Sequence, residues 1–210
     1  MITTWKKLAL GAACLSTLLL TGCATQGPTY AVSDHEIRSI LVAPSVNETD
    51  TVEANTLMDA MTTYPLSEFG YYVFPMDTVK YVLEAEGLYE PERLQQLGPE
   101  KLAELFHSDS VLYVKITHWD ATYALLNTRT RVTAEYTFYK ADGTKIWSDT
   151  CSVYWDSNQG NSSGLIGLIV DAAVAAINRA APDYRIASRN VNFMAIRQWE
   201  PGPYVRAAKP

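Results

Sequence analysis

Hydrophobic and polar residues alternate with a period of two through the middle of this chain. Residues 111–119, 130–139 and 145–155 each carry their apolar side chains on one face of an extended segment. Such alternation predicts β-strands with one covered face. The Asp142-Gly143 pair favours a tight hairpin between the last two strands, because it supplies the positive φ angles that the turn requires. We therefore expect an antiparallel sheet in this region.

The segments before this region have buried or helical patterns. Two short apolar runs predict buried strands, at residues 39–43 and 70–75. Apolar side chains at helical spacing predict three helices, at residues 51–63, 77–86 and 99–106. Tyr64-Pro65 is expected to end the first helix, since the residue before proline avoids the helical region.

Two further helices are predicted after the sheet. Residues 165–177 are apolar nearly all round, so this helix is expected to be buried or shared with a partner. Residues 184–198 are predicted to form the last helix. Together the elements predict an α/β (α+β) fold of two layers, with a mixed sheet of about five strands and helices on one or both faces.

The first 22 residues have the pattern of a secretory signal. Lys6 and Lys7 form a basic start, and residues 8–20 follow without a charge. This apolar run is too short to span a bilayer core, which needs about 20 residues. Its length is typical of the apolar region of a signal peptide.

The signal ends in a motif that resembles the lipobox of bacterial lipoproteins. Leu20, Thr21 and Gly22 precede Cys23, whose thiol is the only group there that can accept a diacylglycerol thioether. We predict that Cys23 carries lipid and that the protein sits on the periplasmic face of the outer membrane, since Ala24 rather than aspartate follows it. Ordinary signal cleavage near Cys23 is the alternative.

These patterns divide the chain into four parts. Residues 1–22 are the predicted signal peptide, and residues 23–36 a flexible tether. Residues 37–198 are predicted to form a single globular domain. Residues 199–210 are rich in proline and glycine and are predicted to form a C-terminal tail.

Charge narrows the classes of partner. The whole chain has a net charge of −6, and loss of Lys6 and Lys7 leaves 15 basic side chains against 23 acidic ones, a net charge of −8. An acidic chain without a basic stripe is not expected to bind nucleic acid. The hydrophobic content of 48% predicts a folded domain.

The sequence contains no pattern that demands catalysis or a metal. The three histidines have no metal-ligand spacing, and no HExxH or CxxC motif occurs, so no cofactor is expected. His118 is expected to face the core at the end of a strand. Cys151 is expected to be a buried apolar residue. A hydrolase that uses Ser108 or Ser163 is the least favoured reading, because neighbours in sequence rarely form a triad.

The order of elements resembles the N-terminal domain of TolB and its relatives, which include the lipoproteins CsgG and LpoB. More closely, the chain is similar to a family of small outer-membrane lipoproteins named after a genome-derived neisserial antigen. The resemblance covers nearly all of the chain after the signal, and the segments that carry it are the lipobox at Cys23 and residues 40–44, 70–75 and 202–204.

The resemblance implies a protein without enzymatic activity. It implies a binding or assembly component of the cell envelope, in a transport or secretion apparatus, with CsgG-type lipoproteins as partners. An oligomer, such as a ring subunit, and an activator of cell-wall synthesis like LpoB are the alternatives. The exposed aromatic side chains, the sheet edge or the predicted helix at residues 165–177 are the expected binding surfaces.

Overall fold

The mixed sheet organises the fold. A computed structural model describes residues 29–123, 128–156 and 184–207. In chain order, these residues form β1 (Ser39–Val42), β2 (Val46–Asn47), α1 (Ala54–Glu68), β3 (Tyr72–Val73), α2 (Met76–Ala85), α3 (Pro91–Leu97), α4 (Pro99–Phe106), β4 (Ser110–Tyr123), β5 (Thr128–Lys140), β6 (Lys145–Asp156), α5 (Tyr184–Ile196) and α6 (Pro203–Arg206).

The sheet combines parallel and antiparallel strands. Its order is β3-β1-β4-β5-β6, and β2 pairs with β4 beyond the end of β1. The pairs β1/β3, β1/β4 and β2/β4 are parallel, whereas β4/β5 and β5/β6 are antiparallel. The predicted hairpin is present, with Gly143 at φ 82° and its amide donating to Lys140 O at 3.0 Å. The predicted α+β class with a mixed sheet is confirmed.

Helices cover both faces of the sheet. Helices α1 and α5 pack on one face, against inward side chains of β1, β4, β5 and β6. The alternation predicted for β5 accounts for four of these side chains, Val132, Ala134, Tyr136 and Phe138. Helices α2, α3 and α4 pack on the other face, against β1, the first part of β4 and Tyr139 at the end of β5. Among the described residues, no helix covers the rest of this face along β5 and β6.

One buried polar network ties α1 and α5 to the sheet. The hydroxyl of Tyr136 in β5 donates to Asn192 Oδ1 in α5 at 2.9 Å, and Thr62 Oγ1 in α1 lies 3.0 Å from the same oxygen. The amide nitrogen of Asn192 donates to Ser188 O at 2.8 Å. All four side chains are buried. Because a buried polar group is costly to leave unpaired, this network specifies how the two helices sit.

A partly buried ion pair connects two helices that cover opposite faces of the sheet. Asp59 in α1 is 2% exposed, and its carboxylate accepts hydrogen bonds from Ser45 N at 2.8 Å and from Lys80 Nζ at 2.9 Å. Ser45 follows Pro44, which lies between β1 and β2. The carboxylate thus satisfies backbone where the edge strand is interrupted, and it holds α2 beside α1.

Two helices differ from the sequence prediction. Helix α1 continues through Pro65 to Glu68 instead of ending at Tyr64, with Pro65 and Leu66 both buried. Burial of the Pro65 and Leu66 side chains offsets the hydrogen bond that a proline removes, which costs about 3 kcal/mol. Helix α3 (Pro91–Leu97) was not predicted, although it begins with proline at its first position, a favoured arrangement.

The prediction for His118 is wrong. Its side chain is exposed, because a register shift between Ile116 and His118 reverses which side chains face the core. Trp119 occupies the core face instead and stacks on Tyr184, with ring centroids 4.9 Å apart. The helix predicted at residues 165–177 lies outside the described residues.

The folded unit extends beyond residues 37–198 at both ends. Val32 and Trp199 form a parallel bridge, and they are 4% and 1% exposed. Ala31 N donates to Gln198 O and Glu200 N to Val32 O, each at 2.8 Å. The last part of the predicted tether and the start of the predicted tail therefore belong to the domain, because Trp199 completes the core over Phe138.

Two of the segments that carry the family resemblance meet in space. Gly202 N donates to Phe69 O at 2.6 Å, and Tyr204 N donates to Gly70 O at 3.1 Å. A Cβ on Gly202 would collide with the carbonyl of Gly70, and a Cβ on Gly70 would lie 2.6 Å from Val205 N. Glycine is therefore required on both sides of this contact.

We predict that Gly202→Ala lowers the free energy of unfolding by about 3 kcal/mol or more, because the new methyl group must displace backbone. Gly87→Ala is the control, since an added Cβ there meets nothing within 4 Å. The backbone at Gly87 has a φ of +74°, which costs an alanine about 1–2 kcal/mol. Urea unfolding of both variants measures the difference. An equal or smaller loss for Gly202→Ala would contradict the proposed backbone contact.

We predict that Tyr136→Phe destabilises the protein by about 1–2 kcal/mol, because it removes a donor from the buried network. Tyr89→Phe removes the same hydroxyl from a side chain that is 71% exposed, and it should change stability by less than about 0.5 kcal/mol. Chemical denaturation monitored by circular dichroism compares the two. A neutral Tyr136→Phe would show that the network does not hold α5.

Candidate functional site

The candidate Ser/His/Asp set does not assemble. Asp109 Oδ2 accepts hydrogen bonds from Arg38 N at 3.0 Å and from Ser39 N at 2.8 Å, so its carboxylate anchors the start of β1. Ser108 is buried, and its hydroxyl has no hydrogen-bond partner among the described residues. His107 ends α4 in a left-handed conformation, with φ 52°. These roles are structural; Ser163, the other candidate nucleophile, lies outside the described residues.

Cys151 is a buried thiol on the core face of β6, as predicted. Burial, together with the neighbouring carboxylate of Asp149, raises its pKa to about 11. The thiol therefore stays protonated at neutral pH, which disfavours nucleophilic chemistry. In the described part of the chain, no group of three or more His, Cys, Asp or Glu side chains could hold a metal ion.

The strongest candidate for a functional surface is a groove beside α5, between α1 and β6, which we call the α5 groove. Its volume is about 550 Å³, and it is lined by Tyr64, Val153, Arg189, Asn190, Phe193, Met194 and Arg197. The groove is amphipathic, because apolar and aromatic side chains form its floor while two arginines lie along it.

The geometry of α5 aligns the side chains of the groove. The inner face of α5 is buried through Ala187, Ser188, Val191, Asn192, Ala195 and Ile196. Arg189, Phe193 and Arg197 are four residues apart, so they form one stripe along the outer side. Phe193 packs edge-to-face on Tyr64 of α1, with ring centroids 5.8 Å apart, and Tyr64 is 49% exposed. The aromatic contact therefore holds the centre of the stripe in place, and the arginine side chains at its two ends are exposed.

The two arginines of the α5 groove are exposed, and neither forms an ion pair with any described residue. Asp149, the carboxylate near this end of β6, instead accepts a hydrogen bond from Gln198 Nε2 at 2.9 Å. Two positive charges that no described carboxylate pairs with therefore border an apolar floor, on a protein whose net charge is negative.

The arginine stripe was not recognised from the sequence, although the helix that carries it was predicted. The signal was available in the i, i+4, i+8 spacing of Arg189, Phe193 and Arg197. The position of Tyr64 beside it was not available, since α1 was expected to end at that residue. The predicted lipobox residues Leu20, Thr21, Gly22 and Cys23 lie outside the described residues.

The described part of the chain contains no helix with the length and apolar character needed to cross a bilayer. Most of the domain nevertheless matches membrane-associated proteins. The sequence model of GNA1162-like lipoproteins matches residues 30–198. A lipoprotein of Neisseria meningitidis serogroup B, NMB1124/NMB1162, is 35% identical over 183 residues, which cover 85% of this chain and 84% of the relative.

A solved structure agrees with these sequence matches. The crystal structure of lipoprotein GNA1162 from Neisseria meningitidis is 38% identical and has a TM-score of 0.54, over 66% of this chain and 96% of that chain. The LpoB C-terminal domain from Salmonella enterica is 19% identical, with a TM-score of 0.35 over 61% of this chain and 86% of that chain. The chain belongs to the GNA1162-like lipoproteins, membrane-anchored proteins of the cell envelope.

Proposed function

We propose that the protein is a non-enzymatic binding or assembly component of the envelope, held by lipid on Cys23 at the periplasmic face of the outer membrane. Its partner is a protein segment that carries carboxylates on both sides of an apolar residue. The observation that carries this proposal is the α5 groove, where two arginines that form no ion pair with any described residue flank a half-buried aromatic pair.

The chemistry of the α5 groove favours a partner with both charge and apolar surface. Guanidinium groups bind carboxylates through paired, charge-assisted hydrogen bonds. Tyr and Arg side chains are enriched among residues that dominate binding energy. Arg189 and Arg197 are about 12 Å apart along the helix at 1.5 Å per residue, so they suit two separate carboxylates rather than one. The Tyr64–Phe193 pair between them offers the apolar contact.

Attachment to the membrane strengthens such binding. A lipid anchor confines the domain to a thin layer and raises its effective concentration near other envelope proteins. A modest groove can therefore be occupied in the cell even where the isolated domain binds weakly. Because the net charge of the chain is negative, the lipid rather than the protein surface provides the attraction to the membrane.

We predict that a photo-crosslinking aromatic residue at Phe193 captures a protein partner in intact cells, whereas the same residue at Tyr81, 73% exposed on α2, does not. Arg189→Glu combined with Arg197→Glu should lower the adduct yield about fivefold or more, which corresponds to about 1 kcal/mol. Arg93→Glu combined with Lys101→Glu makes the same change in charge on α3 and α4, and it should leave the yield unchanged.

The adduct also distinguishes kinds of partner. A second copy of this chain would identify an assembly subunit, and a cell-wall synthase would favour the activator alternative. An adduct that survives charge reversal, or one that forms equally from Tyr81, would contradict docking in the α5 groove. Capture of lipid alone would show that the groove faces the bilayer.

We predict that Cys23→Ser abolishes incorporation of labelled palmitate and releases the protein from the membrane fraction, because one thiol provides the only attachment. Density-gradient fractionation should place the unaltered protein with the outer membrane. The control is Cys151→Ser, which keeps Cys23 and should retain both label and location. Labelling that persists in Cys23→Ser would disprove the lipobox.

A further inference from the structure

The other face of the sheet carries a second depression, on the opposite side from the α5 groove. It lies where the corner between α3 and α4 meets β4 and β5, and we call it the β4–β5 depression. Its volume is about 270 Å³, and its lining consists of Gln95, Pro99, Tyr113, Lys115, Glu135, Thr137 and Tyr139.

The two charged side chains that line the β4–β5 depression, Lys115 and Glu135, neutralise each other. Lys115 Nζ lies 2.8 Å from Glu135 Oε2 and 3.5 Å from Glu48 Oε1. The hydrogen bond that Lys115 donates to the carboxylate of Glu135 raises the pKa of Lys115, so the ammonium group stays charged and paired. Because this lysine is the only cation among the described residues of the lining, none of them is free to neutralise a phosphate or a carboxylate. An uncharged ligand is therefore favoured.

Three polar side chains of the lining have unused hydrogen-bonding capacity. The Gln95 amide and the Thr137 and Tyr139 hydroxyls make no hydrogen bond with any described residue. Between them they offer both donors and acceptors on two sides of the depression. The hydroxyl of Tyr113 is different, since it donates to Leu94 O at 3.3 Å and holds its ring in place.

The rest of the lining is aromatic or apolar. Tyr113 and Tyr139 pack edge-to-face, with centroids 5.8 Å apart and planes at 79°, and Pro99 lies beside them. Rings in this arrangement offer surface to C–H groups, while the neighbouring amide and hydroxyls offer hydrogen bonds. The volume lies just below the range of about 300–1,000 Å³ that is typical of drug-sized ligands, so one or two small rings would fit.

We propose that the β4–β5 depression binds an uncharged sugar unit of a glycan. A sugar ring has an apolar C–H face and a rim of hydroxyl groups, and each of these finds its counterpart in the lining described above. A free anion is disfavoured because Lys115 is already paired. This site lies across the sheet from the α5 groove, so either site can fail without the other.

Binding can be tested with the full-length protein, purified in a detergent that has no sugar headgroup. The probes are the uncharged disaccharides chitobiose and maltose, and a peptidoglycan stem peptide without sugar. Saturation-transfer NMR detects contact with the ring protons, and a titration gives the dissociation constant. We expect saturable binding to at least one saccharide with a dissociation constant of about 1 mM or lower.

Two variants locate the binding. Gln95→Ala combined with Thr137→Val should weaken saccharide binding about tenfold or more, because both substitutions remove hydrogen-bonding groups while leaving the aromatic rings. Gln96→Ala combined with Thr150→Val is the matched control, since both of its positions are exposed and neither lines the depression. Thermal unfolding confirms that all variants are folded.

The outcomes separate cleanly. A tenfold loss in the first pair and none in the second supports the site. The proposal is overturned if no saccharide saturates at concentrations up to about 20 mM. It is equally overturned if the two double variants bind the sugars with the same affinity, or if only the stem peptide binds.

Discussion

The packing of α5 against the core face of the sheet is the constraint on which the rest of the structure depends. Asn192 links this helix to Tyr136 in β5 and to Thr62 in α1, so the rotation of α5 about its axis is specified by polar contacts as well as by apolar area. Because the inner face of α5 is fixed against the sheet, the direction in which its outer face points is fixed as well. The stripe that contains Phe193 is therefore a consequence of core packing.

The sheet presents two surfaces with different chemistry. On the α5 side, the surface is positive and apolar, which suits an acidic protein segment. On the opposite side, the lining of the β4–β5 depression has no net charge and combines rings with amide and hydroxyl groups. Membership of the GNA1162-like lipoproteins places the domain in the envelope, where both kinds of ligand occur. An envelope component with two such faces can connect a protein to a glycan without chemistry of its own.

Much of this fold is predictable from local pattern, and the remainder depends on tertiary contacts. The strands β4, β5 and β6 follow from alternation, and α4 was predicted with its observed ends because proline favours its first position. Pro65 lies within α1 because burial outweighs a lost hydrogen bond, and His118 is exposed because a bulge reverses the alternation. The α5 groove and the β4–β5 depression each combine residues from distant segments, which no local pattern could bring together.

The junction of the two chain ends has a mechanical consequence. Val32 pairs with Trp199 in parallel, and Glu200 N bonds back to Val32 O at 2.8 Å. A pull on the chain before Ala31 reaches this junction before it reaches any strand of the sheet. Because Trp199 is stacked on Phe138, the load passes directly into the core rather than unravelling a loose end. The domain is thus suited to bear tension that is applied through the chain before residue 31.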